Sequence, residues 1–189
     1  MSATPQTPAP LVGTTGAPFR DTPRIYVACL AAYNSGRLHG RWIAADKGQD
    51  HIWAKVRQML KESPELGAEE WAIHDYDGFE GAPISEYAGF DWVCDLAEYV
   101  DERGELGAKV CEHYCGDLEQ AKAAFEDYAG CYNSLADFAE NLTRETGPKI
   151  PDAFQYYIDW SGMGQDMAMN GDVFTIETHF DEVHVFWCR

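Results

Sequence analysis

Charge is segregated along this chain, and the segregation limits what the chain can fold into and what it can touch. Of 189 residues, 32 are acidic and 14 basic, a formal net charge of −18. Residues 1–61 hold eight bases (Arg20, Arg24, Arg37, Arg41, Lys47, Lys55, Arg57, Lys61) against Asp21, Asp46 and Asp50. Residues 62–140 hold 21 acids against Arg103, Lys109 and Lys122, a net of −18 in that segment alone. The flanks, at +5 and −5, cancel. A segment this acidic folds only if apolar residues are plentiful, and 46% of the chain is apolar and 13% aromatic, which excludes a disordered solvating tail. The same charge argues against a basic footprint for direct nucleic-acid binding and against docking on an anionic membrane. No apolar run approaches the roughly 20 residues of a membrane span. Met1 to Asp21 lacks the basic and apolar regions of a signal peptide, so a cytoplasmic location is expected.

Residues 1–23, rich in Pro, Thr, Ala and Gly, predict a disordered N-terminal extension. Strands are expected at 25–30 and 39–43, with the turn residues Asn34-Ser35-Gly36 between them, and at 70–74. Asp50 is the expected N-cap of a helix carrying Ile52, Val56, Met59 and Leu60, stopped before Pro64. After the turn-rich stretch Asp75 to Gly81, a helix is expected from Asp91 to Arg103, ended by Gly104. Asp117 with Gln120 predicts a capped helix with Leu118, Ala121, Phe125 and Tyr128 inward, and Ser134 caps another. Pro151 fits the first turn of a helix through Phe154, Tyr157 and Ile158, whose continuation Gly162 and Gly164 weaken. Segments 173–178 and 183–188 predict a closing hairpin.

The helix near residue 91 carries the most informative pattern. Asp91, Asp95, Glu98, Glu102 and Glu105 recur at helical spacing on one face, opposite Val93, Leu96, Ala97 and Val100. Each like-charged pair on such a row costs a few tenths of a kcal/mol, and a face chosen only for solubility interleaves Lys and Arg. A solvated acidic face is one reading. The other is imitation of duplex DNA, whose one charge per about 1.7 Å makes 21 carboxylates equivalent to roughly 36 Å of helix. Elsewhere Glu119 with Lys122, and Glu140 with Arg144, are expected as ordinary helical ion pairs.

The motifs of chemistry are missing. There is no Walker loop, GxGxxG, GxSxG or HExxH. Asp75-x-Asp77 opens like a calcium loop, but Phe79 and Glu80 stand where a ligand and a turn glycine are required. The six cysteines (Cys29, Cys94, Cys111, Cys115, Cys131, Cys188) are expected as reduced thiols, and Cys111-x3-Cys115 around His113 is short of four zinc ligands. His74, His179 and His184 are candidates for acid–base, metal-binding or structural roles. The aromatic groups Phe154/Tyr156/Tyr157/Trp160 and Phe174/Phe186/Trp187 read as core or dimer contact. No metal, cofactor or enzymatic activity is expected.

Four blocks of the chain resemble the ArdA antirestriction family. They are Tyr26-Val27 through Leu38-His39-Gly40 to Trp42-Ile43; Glu69-Glu70-Trp71-Ala72-Ile73-His74-Asp75-Tyr76-Asp77-Gly78-Phe79; Ala129-Gly130-Cys131-Tyr132-Asn133-Ser134-Leu135-Ala136-Asp137-Phe138-Ala139; and Tyr156-Tyr157-Ile158-Asp159 through Asn170-Gly171-Asp172 to Ile176-Glu177. The resemblance implies an elongated α+β chain of three small domains, at 24–84, 85–130 and 131–189, dimerising through its C-terminal region. It also implies a protein that imitates B-DNA and occupies the groove of the methyltransferase core of a type I restriction–modification enzyme, blocking cleavage and, in the family, often methylation. The expected DNA-mimic carboxylates are Glu62, Glu65, Glu69, Glu70, Asp75, Asp77, Glu80, Glu86, Asp91, Asp95, Glu98, Asp101, Glu102, Glu105, Glu112, Asp117, Glu119, Glu126 and Asp127. The long N-terminal extension and the net-positive first 61 residues depart from that pattern. The alternative is an acidic regulatory protein that binds another basic DNA-binding partner.

Overall fold

The computed structural model describes residues 22–189, so the extension expected over 1–23 lies almost wholly outside the described residues. Strand β1 (Arg24–Cys29) buries Ile25 and Val27 while Arg24 and Tyr26 face out, the period of two that a half-covered sheet requires. It is the central strand of a three-stranded antiparallel sheet, between β2 (Gly40–Ala44) and β3 (Trp71–Asp77). A short helix α1 (Leu30–Asn34) precedes the expected turn, and the chain leaves it through Gly36 at φ 74°. β3 is longer than its sequence pattern. Asp75, Tyr76 and Asp77, expected as the start of a turn, pair with Tyr26, Ile25 and Arg24 beyond a bulge at Tyr26/Val27. Turn-forming residue types are overruled there by the partner strand.

Helix α2 (Gln49–Lys61) lays Ile52, Val56 and Met59 into the core. Gly48, at φ 82°, stands at its N-cap instead of Asp50, which sits in the first turn and still favours the helix dipole. Helix α3 (Phe90–His113) consists of two helical segments joined at a kink at Gly104, the second of them unforeseen. Its first segment buries Val93, Leu96, Ala97 and Val100, as the spacing predicts, and Phe90 and Tyr99 besides. Gly104 ends that segment, as expected. At φ 62°, ψ −151°, a region open essentially to glycine alone, it joins that segment to a second one whose Ala108, Val110 and Cys111 are buried.

Helix α4 (Leu118–Ala124) has the predicted cap, with Asp117 Oδ1 accepting from the Gln120 backbone N–H at 3.0 Å. The Gln120 amide also reaches the same carboxylate, at 2.8 Å. The helix ends at Ala124, and a 3-10 turn (Phe125–Asp127) leads into an unforeseen strand, β4 (Tyr128–Tyr132). Its Ala129 and Gly130 carry no strand signal, and the pairing comes from β6. Ser134 caps α5 (Leu135–Thr146), as expected. Pro151 starts no helix. A 3-10 turn (Gln155–Tyr157) follows, and α6 (Trp160–Met169) begins later, capped by Asp159. Gly164, expected to weaken a helix, lets α6 approach α5: a Cβ there would lie 2.7 Å from the Leu135 carbonyl oxygen. β5 (Val173–His179) and β6 (Glu182–Trp187) form the closing hairpin, turned through Asp181 at φ 61°. The second sheet has the order β4-β6-β5.

The fold is therefore α+β, two small antiparallel sheets with short helices packed on them. One hydrophobic cluster runs from Ile25 through α2, α3 and α4 and reaches Phe186 on β6. A smaller one surrounds Phe138, Val173 and Val185. Among the described residues no helix is long and apolar enough to cross a membrane.

Candidate functional site

The first segment of α3 is amphipathic by necessity: six of its side chains are buried, so whatever fills the opposite positions stands in water. Those positions are Asp91, Asp95, Glu98 and Glu102, all exposed. The row is about 16 Å long at 1.5 Å per residue, a length over which one strand of B-DNA carries about five phosphates. Among the described residues no base lies within ion-pair distance of these four. Glu105, expected as the fifth member, lies beyond Gly104 and pairs with Lys109 at 3.0 Å.

The bases of the first 61 residues explain which other acids are neutralised. Arg24 donates through Nε (3.2 Å) and Nη2 (2.8 Å) to Asp77 Oδ2. Arg41 pairs with Glu62 at 2.9 Å and Arg37 with Glu65 at 3.2 Å. Asp127 is met by Arg189 at 3.0 Å, and His74 lies 3.9 Å from Glu86. Such exposed pairs contribute at most about 1 kcal/mol each to stability, but they remove local charge. Glu69 and Glu70 lie just before β3, and Asp75 on it accepts the Tyr76 N–H at 2.8 Å. Glu112 closes α3, Glu119 lies in the first turn of α4, and Glu126 in the turn after it. The pair expected between Glu119 and Lys122 does not form among the described residues, whereas Arg144 Nε does reach Glu140, at 3.0 Å.

A cleft of about 500 Å³ runs along the α3 row. Asp46, Glu80, Asp95, Glu98 and Asp101 line it, Asp46 being paired with Lys47 at 2.8 Å, so it extends the acidic face sideways toward β3 and the turn before α2. Glu80 and Asp101 have contacts of their own. The field is felt by the Cys94 thiol in the wall, pushed up first by burial and then by Asp95, Asp91 and Asp46. Asp46 belongs to the segment with net positive charge, and no local pattern marks it as part of this face.

Elsewhere the polar groups are structural. His184 bridges Tyr128 Oη (2.7 Å, at Nδ1) and Thr178 Oγ1 (3.1 Å, at Nε2), and burial holds its pKa below the ordinary value of 6.5. Burial likewise lifts the Tyr128 hydroxyl to about 12. His179 sits on Glu182 at 3.1 Å, and His74 meets Tyr33 edge-on. Cys111 is buried, Cys115 is exposed, and His113 lies on Phe174; among the described residues no three His, Cys, Asp or Glu side chains converge as a metal site. Of the aromatic groups, Phe174 and Phe186 stack in the core, whereas Phe154, Tyr156 and Tyr157 are 62%, 94% and 85% exposed.

A search among curated proteins returns no match to this chain. A family description does match, that of the antirestriction protein ArdA, over residues 25–182, and the chain belongs to that family.

Proposed function

We propose that this antirestriction protein inhibits a type I restriction–modification enzyme by laying the acidic face of α3 in the groove of the methyltransferase core, where duplex DNA would lie. The observation that carries the reading is the row Asp91, Asp95, Glu98 and Glu102: exposed, on one helical segment, and left without bases among the described residues while neighbouring acids are paired. Glu69, Glu70, Asp75, Glu112, Glu119 and Glu126 extend the same field. A row of fixed anions meets a groove built for phosphates with the same counterion economy as DNA. The protein is an inhibitor without catalytic residues on this reading, and it needs no cofactor.

We read the chain as the three units 24–84, 85–130 and 131–189, the first two sharing one core, and as a homodimer. The exposure of Phe154, Tyr156, Tyr157 and Met169 on the C-terminal unit supports the second point, since rings and thioethers in such numbers favour a covering partner.

The test is competition. The protein should displace duplex DNA from the purified methyltransferase core, and its affinity should fall roughly a hundredfold between about 50 and about 200 mM salt if four contacts behave like phosphates. Asp91→Asn, Asp95→Asn, Glu98→Gln and Glu102→Gln together should weaken inhibition and leave the thermal midpoint unchanged or slightly raised, because like-charge pairs are removed. Binding that ignores salt and leaves DNA in place overturns the reading.

A further inference from the structure

Lys109, one of only three bases between residues 62 and 140, is turned away from the acidic row. Its Nζ donates to the carbonyl oxygens of Glu177 (2.7 Å) and Thr178 (3.4 Å), both on β5, and pairs with Glu105 at 3.0 Å. One turn further along α3, His113 lies flat on Phe174 of β5, with centroids 4.4 Å apart and planes 6° from parallel. Phe174 continues the stack onto Phe186 at 4.8 Å, and Phe186 is fully buried. Tyr114 adds an edge contact to Phe174 at 5.9 Å. Lys109 and His113 therefore lie at i and i+4 on the second segment of α3 and grip one strand by two unrelated chemistries, a cation on carbonyls and a ring on a ring. Five residues before Lys109 stands Gly104, whose backbone angles set the direction of this segment against the one that carries the acidic row.

We propose that Lys109 and His113 are positioning residues: they fix the C-terminal unit against the acidic row, and that fixed geometry contributes to inhibition alongside the charge itself. The inference rests on the DNA-mimic reading above. An array held in one arrangement binds a groove without first losing the freedom of a hinge, whereas a loosened junction loses that freedom on binding and weakens the complex. The sign of one substitution separates this role from simple charge. Removing Lys109 makes the protein more negative, so electrostatics alone predicts tighter binding to a basic groove; a positioning role predicts weaker binding.

The experiment uses the full chain and purified type I enzyme, with inhibition of DNA cleavage titrated across salt for Lys109→Met, Lys109→Arg and the fourfold amide variant of the acidic row. The expected result is a loss of potency of about threefold to tenfold for Lys109→Met, the scale of ordering one or two more side chains on binding. The salt slope should stay as in the parent protein, amide exchange over residues 173–179 should quicken, and Lys109→Arg should restore most of the potency. His113→Gln, which removes the stack and keeps the lysine, carries the same expectation and decides the matter if Lys109→Met does not fold. Unchanged or increased potency in the folded variant overturns the positioning role. If the amide variant alone inhibits as well as the parent protein, the mimic reading has failed, and the two failures are thus told apart.

Discussion

His184 shows how much a single side chain can be worth here as a reporter. Its ring joins β4 to β5 through Tyr128 and Thr178, and its pKa is depressed first by burial, with Glu182 opposing and Lys109 reinforcing the shift. The unfolded chain takes up this proton near the ordinary value of 6.5 and the folded chain only at lower pH. Below 6.5 the unfolded state therefore binds more protons, and the contribution of His184 to stability shrinks as pH falls until the folded pKa is reached. Thermal midpoints measured from pH 7.5 down to pH 5.5 should fall, and His184→Gln should flatten part of that slope; a variant with the parent's slope would place the proton uptake elsewhere. None of this was legible in the sequence. A histidine in an alternating strand was visible, but Tyr128 was expected on a helix, so its hydroxyl could not be brought to the ring.

Among the elements, α3 was the most legible, and only its second segment was missed. Its buried positions and its acidic row follow directly from helical spacing, because both faces are written within one short stretch. The break at Gly104 was legible as well; the second segment was not, since the buried Ala108, Val110 and Cys111 bring the next residues back into helix. The backbone at Gly104 makes a testable demand. Gly104→Ala forces a Cβ into a glycine-only region and should cost about 1–3 kcal/mol, lowering the thermal midpoint by several degrees on the scale of about 2–4 °C per kcal/mol for a chain of this size. An unchanged midpoint would mean that the junction can relax to an ordinary helix. Strand β4 and the extension of β3 were illegible for the opposite reason, because their hydrogen bonds come from strands distant in the chain.

For the whole molecule, the C-terminal aromatics give the prediction. If Phe154, Tyr156 and Tyr157 are covered by a second copy, Tyr156→Ser with Tyr157→Ser should shift the mass measured by light scattering from dimer to monomer, leaving the far-ultraviolet spectrum of the folded chain intact. A parent protein that is monomeric at micromolar concentration would remove the dimer from the proposal. The acidic character of the molecule was plain from the sequence, but its distribution over the surface was not, because Arg24, Arg37 and Arg41 find Asp77, Glu65 and Glu62 across the fold rather than along the chain. Those three pairs also bear on how the DNA decoy proposed above is to be told from an ordinary acidic protein. Ranking candidate proteins by net charge, or by the charge of a window, counts acids that another part of the same chain has already silenced. The quantity that bears on competition with DNA is the run of carboxylates left over once cross-fold partners are subtracted. By that measure a protein of modest overall acidity could compete as well as an intensely acidic one, provided its unmatched anions lie in a row.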